Sequence, residues 1–138
     1  MAELEDKAVC VDTDVLVDYL RGREPGMSAY KKWRNKTKTV ITSISAYELI
    51  FGSLLVSRSS EGRSAEARSL IEQHEVLPFD SVAAGFASSI GASLRKSGNE
   101  IEIRDLFIAS ICLAGGIPIL TRNKSHYARI TGLKVVTV

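Results

Sequence analysis

The chain has 138 residues, 45% hydrophobic and 25% charged, enough to bury the core of one globular domain. Eighteen Lys and Arg nearly balance sixteen Asp and Glu, for a net charge of +2, so overall charge does not mark a nucleic-acid binder; such a surface has to come from the distribution of charge. No stretch reaches the roughly 18 apolar residues of a membrane helix, and the opening MAELEDK is acidic with no apolar signal segment, so a cytoplasmic protein without membrane association is expected.

In chain order, Ala8–Val11 is a short unbroken apolar run that ends at Asp12, and 39–41, Glu75–Leu77, 117–120 and 133–138 resemble it. Runs of this kind suit strands buried on both faces. Between them the pattern predicts helices near 14–21, 27–35, 45–57, 62–73, 80–97 and 104–115. Gly115-Gly116 is a stop signal and Pro118 opens the next strand. The Ser/Gly/Arg-rich stretch 57–64 reads as a loop between helices. No repeat, low-complexity tract or dividing linker interrupts the chain. The alternation is βαβα, which predicts an α/β fold, a single domain over 1–138 with a central parallel β-sheet flanked by α-helices. Cys10 and Cys112 each lie in an apolar run and read as small core residues, in keeping with a reducing intracellular setting.

Three carboxylates stand out. Asp12 falls where the first buried run stops, and in an open α/β sheet ligands bind beyond the carboxyl ends of the strands. Its alternative role is a turn residue, with Thr13 or Asp14 capping the helix that follows. Glu48 completes a capping-box pattern with Ser45, yet it is the only charge in AYELIFGSLLV, which is apolar nearly all round; a buried carboxylate needs a partner, and a cation is one. Asp105 heads a helical stripe of Ile108, Ala109 and Cys112, so an ionisable group shares a face with core residues; the alternative is a first-turn Asp favoured by the helix dipole. If the three converge, their repulsion calls for a cation, and oxygen-only ligands suit Mg²⁺ or Mn²⁺. Neither His74 nor His126 has the spacing of a zinc site. Thr13 and Ser43 neighbour the proposed ligands and are candidates to hydrogen-bond them.

The segment KKWRNKTK crowds Lys31, Lys32, Arg34, Lys36 and Lys38 around Trp33. It reads either as a track for an RNA backbone or as a solvated helix end whose Trp33 packs inward. Arg122 and Lys124, flanking Asn123, are further candidates for phosphate contact. The apolar residues Leu49, Ile50, Phe51, Leu54, Leu55 and Val56 exceed what one sheet face needs, so part of that surface is expected to meet another chain.

Three segments, VDTDVLVDYL, ITSISAYELIFG and IEIRDLFIASICLAGGIPILTRNKSHYARITGLKVV, together carry a resemblance. In order and spacing the whole chain resembles PIN-domain ribonucleases, specifically the VapC type of toxin from toxin–antitoxin pairs. The resemblance implies a parallel sheet with acidic residues at its carboxyl edge and Mg²⁺- or Mn²⁺-dependent endonucleolytic cleavage of RNA. Asp12, Glu48 and Asp105 correspond to the acidic triad. Asp12 and Asp105 would hold the ion; Glu48 would orient or deprotonate water, or complete a second ion site. The fourth polar position, often Asp in the family, is Asn123, and Asp14 stands where similar sequences more often have Asn or Ser. A homodimer and an antitoxin that covers the site are also implied. Two other readings remain. One is a haloacid-dehalogenase-like phosphatase with Asp12 as nucleophile, since Asp12-Thr13-Asp14-Val15 partly matches that motif although Leu16 occupies its fifth position. The other is a non-catalytic RNA-binding module.

Overall fold

The computed structural model describes residues 8–56 and 60–138. Five strands, β1 (Ala8–Val11), β2 (Lys38–Thr42), β3 (Glu75–Leu77), β4 (Ile119–Thr121) and β5 (Val135–Thr137), form one parallel sheet in the order β3-β2-β1-β4-β5. The helices are α1 (Thr13–Arg21), α2 (Gly26–Lys36), α3 (Ser43–Leu54), α4 (Ser60–Glu72), α5 (Ser81–Lys96), α6 (Ile103–Gly115) and the short α7 (Lys124–Tyr127). The expected α/β architecture is therefore present. None of the described helices is long and apolar enough to cross a membrane.

Side-chain alternation along the strands separates two cores. Val9, Val11, Ile41 and Leu120 point to one face, where they pack with Val15, Leu16, Tyr30, Leu49 and Leu70. Cys10, Val40 and Ile119 point to the other, with Ile108, Ala109, Cys112 and Tyr127. Both cysteines are free and buried, as expected of core residues. The three central strands are buried, whereas β3 and β5 at the edges are partly exposed, Val76 by 37%. Burial on both faces thus holds for β1, β2 and β4 but not for the edge strands, which have a neighbour on one side only.

Local chemistry starts the helices where the strands end. Asp12 caps α1, Thr42 caps α3 through the Ser45 N–H at 3.0 Å, and Asp80 caps α5 through the Ala83 N–H at 2.9 Å. Because α3 starts from Thr42, Ser45 and Glu48 lie inside the helix and the capping box does not form. Helix α4 begins at Ser60, ahead of the start expected near 62, so the loop expected over 57–64 is helical from 60 onward; 57–59 lie outside the described residues. Nor is α3 buried all round: Tyr47, Phe51 and Leu54 are 52%, 44% and 58% exposed, while Ser45, Leu49 and Ser53 face inward.

Gly26 opens α2 directly against the buried Asp18 carboxylate. A Cβ there would stand 2.4 Å from Asp18 Oδ2 and 2.5 Å from its Cβ. Alanine is the better helix former, but this overlap outweighs that gain. Gly26→Ala is expected to destabilise the protein by about 1–3 kcal/mol, whereas Gly52→Ala in α3, with nothing within 4 Å of the new methyl, gains about 0.5–1 kcal/mol. Thermal denaturation of the two variants checks the contrast.

Candidate active site

The sheet order makes β1 central: its crossover to β2 runs one way and β4 lies on the other side, so the carboxyl end of β1 is the point where the connections diverge. Asp12 sits there. Its N–H donates to the Leu120 carbonyl at 2.9 Å, its Oδ1 accepts the Thr13 N–H at 2.8 Å, and its Oδ2 accepts the Thr121 hydroxyl at 2.7 Å. The residue is only 3% exposed. Burial, followed by the charge of Asp14, pushes its pKa up to about 7, against the lowering effect of the Thr121 and Thr13 donors; Asp105 adds to the rise. Asp12 is itself the helix cap, whereas the sequence offered Thr13 or Asp14 for that role; both of those lie inside α1, and the capping side chain is also the candidate ligand.

Asp105 lies in the first turn of α6 with Ile108, Ala109 and Cys112 all fully buried beneath it. Its Oδ2 is 3.1 Å from His126 Nδ1. Nearby, the ring of Tyr127 is fully buried and its hydroxyl has no hydrogen-bond partner among the described residues. Burial, then the charges of Asp12 and Asp105, push that phenol far above its ordinary pKa.

Glu48 is half-buried on α3. Its Oε1 accepts the Thr13 hydroxyl at 2.7 Å, and Thr13 Oγ1 is also 2.9 Å from Ser45 Oγ; with a single proton to give, Thr13 donates to the carboxylate and accepts from Ser45. Arg104 Nη1 stands 3.7 Å from Glu48 Oε2 and is itself held by Glu102. Thr13 therefore links the two candidate ligands, its hydroxyl donating to Glu48 and its N–H to Asp12, as its place beside Asp12 suggested. Ser43 instead accepts the Phe79 N–H at 3.3 Å.

Residues 121–123 complete the edge. Thr121 Oγ1 accepts the Asn123 N–H at 2.9 Å, the Arg122 N–H donates to Asp14 Oδ2 at 3.2 Å, and Arg122 Nη1 donates to Asp18 Oδ1 at 3.0 Å. Burial raises the Asp14 pKa, opposed by the Arg122 amide. Asn123 is exposed at the start of α7 without capping it by its side chain. Arg122 is thus engaged by a carboxylate rather than free for phosphate. The KKWRNKTK segment is distant in topology: it leads into the amino end of β2, whereas the acidic residues cluster at the carboxyl edge. Trp33 packs against the core with Lys36 Nζ 4.7 Å above its ring, Lys38 pairs with Glu75 at 2.6 Å, and Arg34 binds Tyr30 and Gln73, which is the inward-packing reading.

The fold brings Asp12, Asp14, Glu48, Asp105 and Asn123 to one edge. As the side chains stand, no three Asp, Glu, His or Cys among the described residues are grouped closely enough to hold a metal ion, because each carboxylate is turned onto its own donor. The chemistry of the set still fits a hard cation: the candidate ligands are oxygens, a cation would offset both the burial and the Asp14 and Asp105 charges that raise the Asp12 pKa, and the Tyr127 hydroxyl is an orphaned polar atom at the same place. Sequence reasoning missed Asp18, Thr121 and Tyr127 here, and gave Ser45 only as a capping-box partner of Glu48 rather than a contact of Thr13. Only Thr121, one residue beyond an apolar run like Asp12, carried a local signal.

A model of the PIN domain matches residues 9–133. The chain is 30% identical to ribonuclease VapC of Rickettsia bellii, across 93% of this chain and 94% of that protein. It is 29% identical to ribonuclease VapC1 of Methanocaldococcus jannaschii, across 96% and 90%. A DNA-bound VapBC structure from Salmonella typhimurium superposes with a TM-score of 0.84 at 26% identity, covering 94% of this chain and 97% of that one.

Asp12 supplies a pH test of the site. Its pKa in the folded chain, about 7, lies above its unfolded value, so its contribution to stability is fully present below the unfolded pKa and is lost as pH rises to about 7. In EDTA, Asp12→Asn should melt no lower than wild type at pH 8, with an advantage on the order of 1–3 kcal/mol that shrinks towards pH 4. Paired thermal melts at the two pH values check it, and a wild type that gains stability on going from pH 4 to pH 8 relative to the variant would refute the assignment.

Proposed function

This chain belongs to the PIN-domain family, and we propose from that membership that it is a divalent-metal-dependent endoribonuclease of the VapC type. The observation that carries the reading is the assembly of Asp12, Glu48 and Asp105 at the carboxyl edge of the sheet, at the divergence of its connections. The family match sets aside the dehalogenase-like phosphatase, whose motif was incomplete at Leu16.

Asp12 and Asp105 would hold Mg²⁺ or Mn²⁺, with the Asn123 side chain available at the fourth polar position. A bound divalent ion supplies a water of lowered pKa and neutralises the scissile phosphate. The protein's own residues do the rest. Thr13 and Thr121 donate to the two oxygens of Asp12 and fix the plane of its carboxylate, leaving the remaining lone pairs for an ion. The Thr13 hydroxyl holds Glu48 on the same edge, where that carboxylate orients the attacking water or takes its proton. Lys124, beside Asn123, supplies positive charge for the phosphates that flank the cut.

The partners follow from the surface. Tyr47, Phe51, Leu54 and Leu55 leave an apolar face on and just beyond α3, and a groove between α1, α3 and α4, lined by Val17, Leu20, Leu49 and Val56, reaches Glu48. A homodimer and a cognate antitoxin would cover such surface, the antitoxin closing the groove beside the site; the superposing Salmonella structure is of a VapBC complex.

Purified wild type, free of any partner, should make internal cuts in defined RNAs with Mg²⁺ or Mn²⁺ and none in EDTA. Asp12→Asn and Asp105→Asn should each lower the rate by about 10³-fold or more while remaining folded. Full cleavage by Asp105→Asn would sink the site assignment. RNA that survives with every metal, while p-nitrophenyl phosphate is hydrolysed, would return the reading to a phosphatase.

A further inference from the structure

The geometry points to Asp18 as a positioning residue for the metal site, acting through Arg122. This rests on the metal-dependent reading above. Asp18 is 3% exposed, and a buried carboxylate is costly unless each oxygen is met by a donor. Both are met: Oδ2 accepts the Gly26 N–H at 3.0 Å, and Oδ1 accepts Arg122 Nη1 at 3.0 Å. The missing side chain at Gly26 makes the room that Asp18 occupies.

Asp14 and Asp18 are four residues apart on α1 and so share a face. Arg122 docks on both at once, by its backbone N–H on Asp14 and by its guanidinium on Asp18. The residue before it, Thr121, donates to Asp12, and the residue after it, Asn123, donates its N–H to Thr121 Oγ1. Two consecutive residues at the end of β4, Thr121 and Arg122, are therefore registered against three carboxylates of the β1–α1 unit, with the Asn123 N–H holding the Thr121 hydroxyl. Of these contacts the Asp18–Arg122 pair is the one that no ion, substrate or helix cap would need for itself. Its carboxylate is buried while the arginine is 44% exposed, so removing the charge of Asp18 releases the guanidinium to solvent and loosens Thr121 and the Arg122 amide together. A plain structural staple predicts lost stability alone; a positioning role predicts that the ion binds less well to protein that is still folded.

The test uses Asp18→Asn, whose amide oxygen still accepts from Gly26, Arg122→Gln, and the double variant. Mn²⁺ affinity is read by isothermal titration calorimetry and stability by thermal melting. Each single variant is expected to weaken Mn²⁺ binding about 10-fold, the double variant no more than either single, because the two residues act as one unit. Singles that bind Mn²⁺ within about twofold of wild type while melting lower overturn the proposal in favour of a staple. Losses that multiply in the double variant overturn it in favour of separate roles. If Asp18→Asn does not fold, the half-exposed Arg122→Gln carries the same comparison. Wild type that binds no Mn²⁺ overturns the metal reading beneath the proposal, an outcome distinct from unaffected variants of a wild type that does bind.

Discussion

Everything at the carboxyl edge follows from burying one carboxylate, Asp12, where β1 ends between β2 and β4. At 3% exposure it has lost most of its hydration, and its pKa near 7 records the cost. The two hydroxyl and amide donors that reach it reduce this penalty without removing it. Asp14 on one side and Asp105 on the other make it worse, since each adds negative charge to a site already short of water. A stability-optimised chain would place an apolar or amide residue here. Retaining the carboxylate makes sense where a cation is to be held, and the surrounding residues read as devices for keeping it in place until then.

The parts of this arrangement that were legible in sequence are the local ones. Asp12 is announced by the run AVCV, and Asp105 by the stripe Ile108, Ala109 and Cys112, because period-2 and period-3.6 patterns are set by neighbours in the chain. Glu48 was found for a partly mistaken reason. Its helix is apolar but not enclosed, and hydrophobicity alone does not distinguish a face turned to the core from one left open, as with Phe51 and Leu54. The capping box failed because Thr42, the last residue of β2, starts α3 before Ser45 is reached. Asp18 was invisible: its two partners are 8 and 104 residues away, and a single Asp on an amphipathic helix looks like solvent-facing charge until the packing is known. The four-residue α7 is too short to carry a periodic signal.

The parallel sheet also explains why these groups come from separate elements. Each βα connection turns over the carboxyl edge, so α1 and α7 begin there, and the start of α6 is brought to the same place. Asp12 caps α1, Asp105 sits in the first turn of α6 and Asn123 precedes α7. Helix amino termini favour negative charge, and each is worth about 0.3–1 kcal/mol. That is enough to bias where carboxylates are tolerated but too little to offset the burial of Asp12, whose pKa stays high although it caps a helix. The same amino-terminal fields favour an incoming phosphate. Carboxylates and phosphate thus compete for one set of fixed positive potentials. A further positive charge at the edge would let them share it, and on the proposed function a divalent ion held by Asp12 and Asp105 would supply that charge.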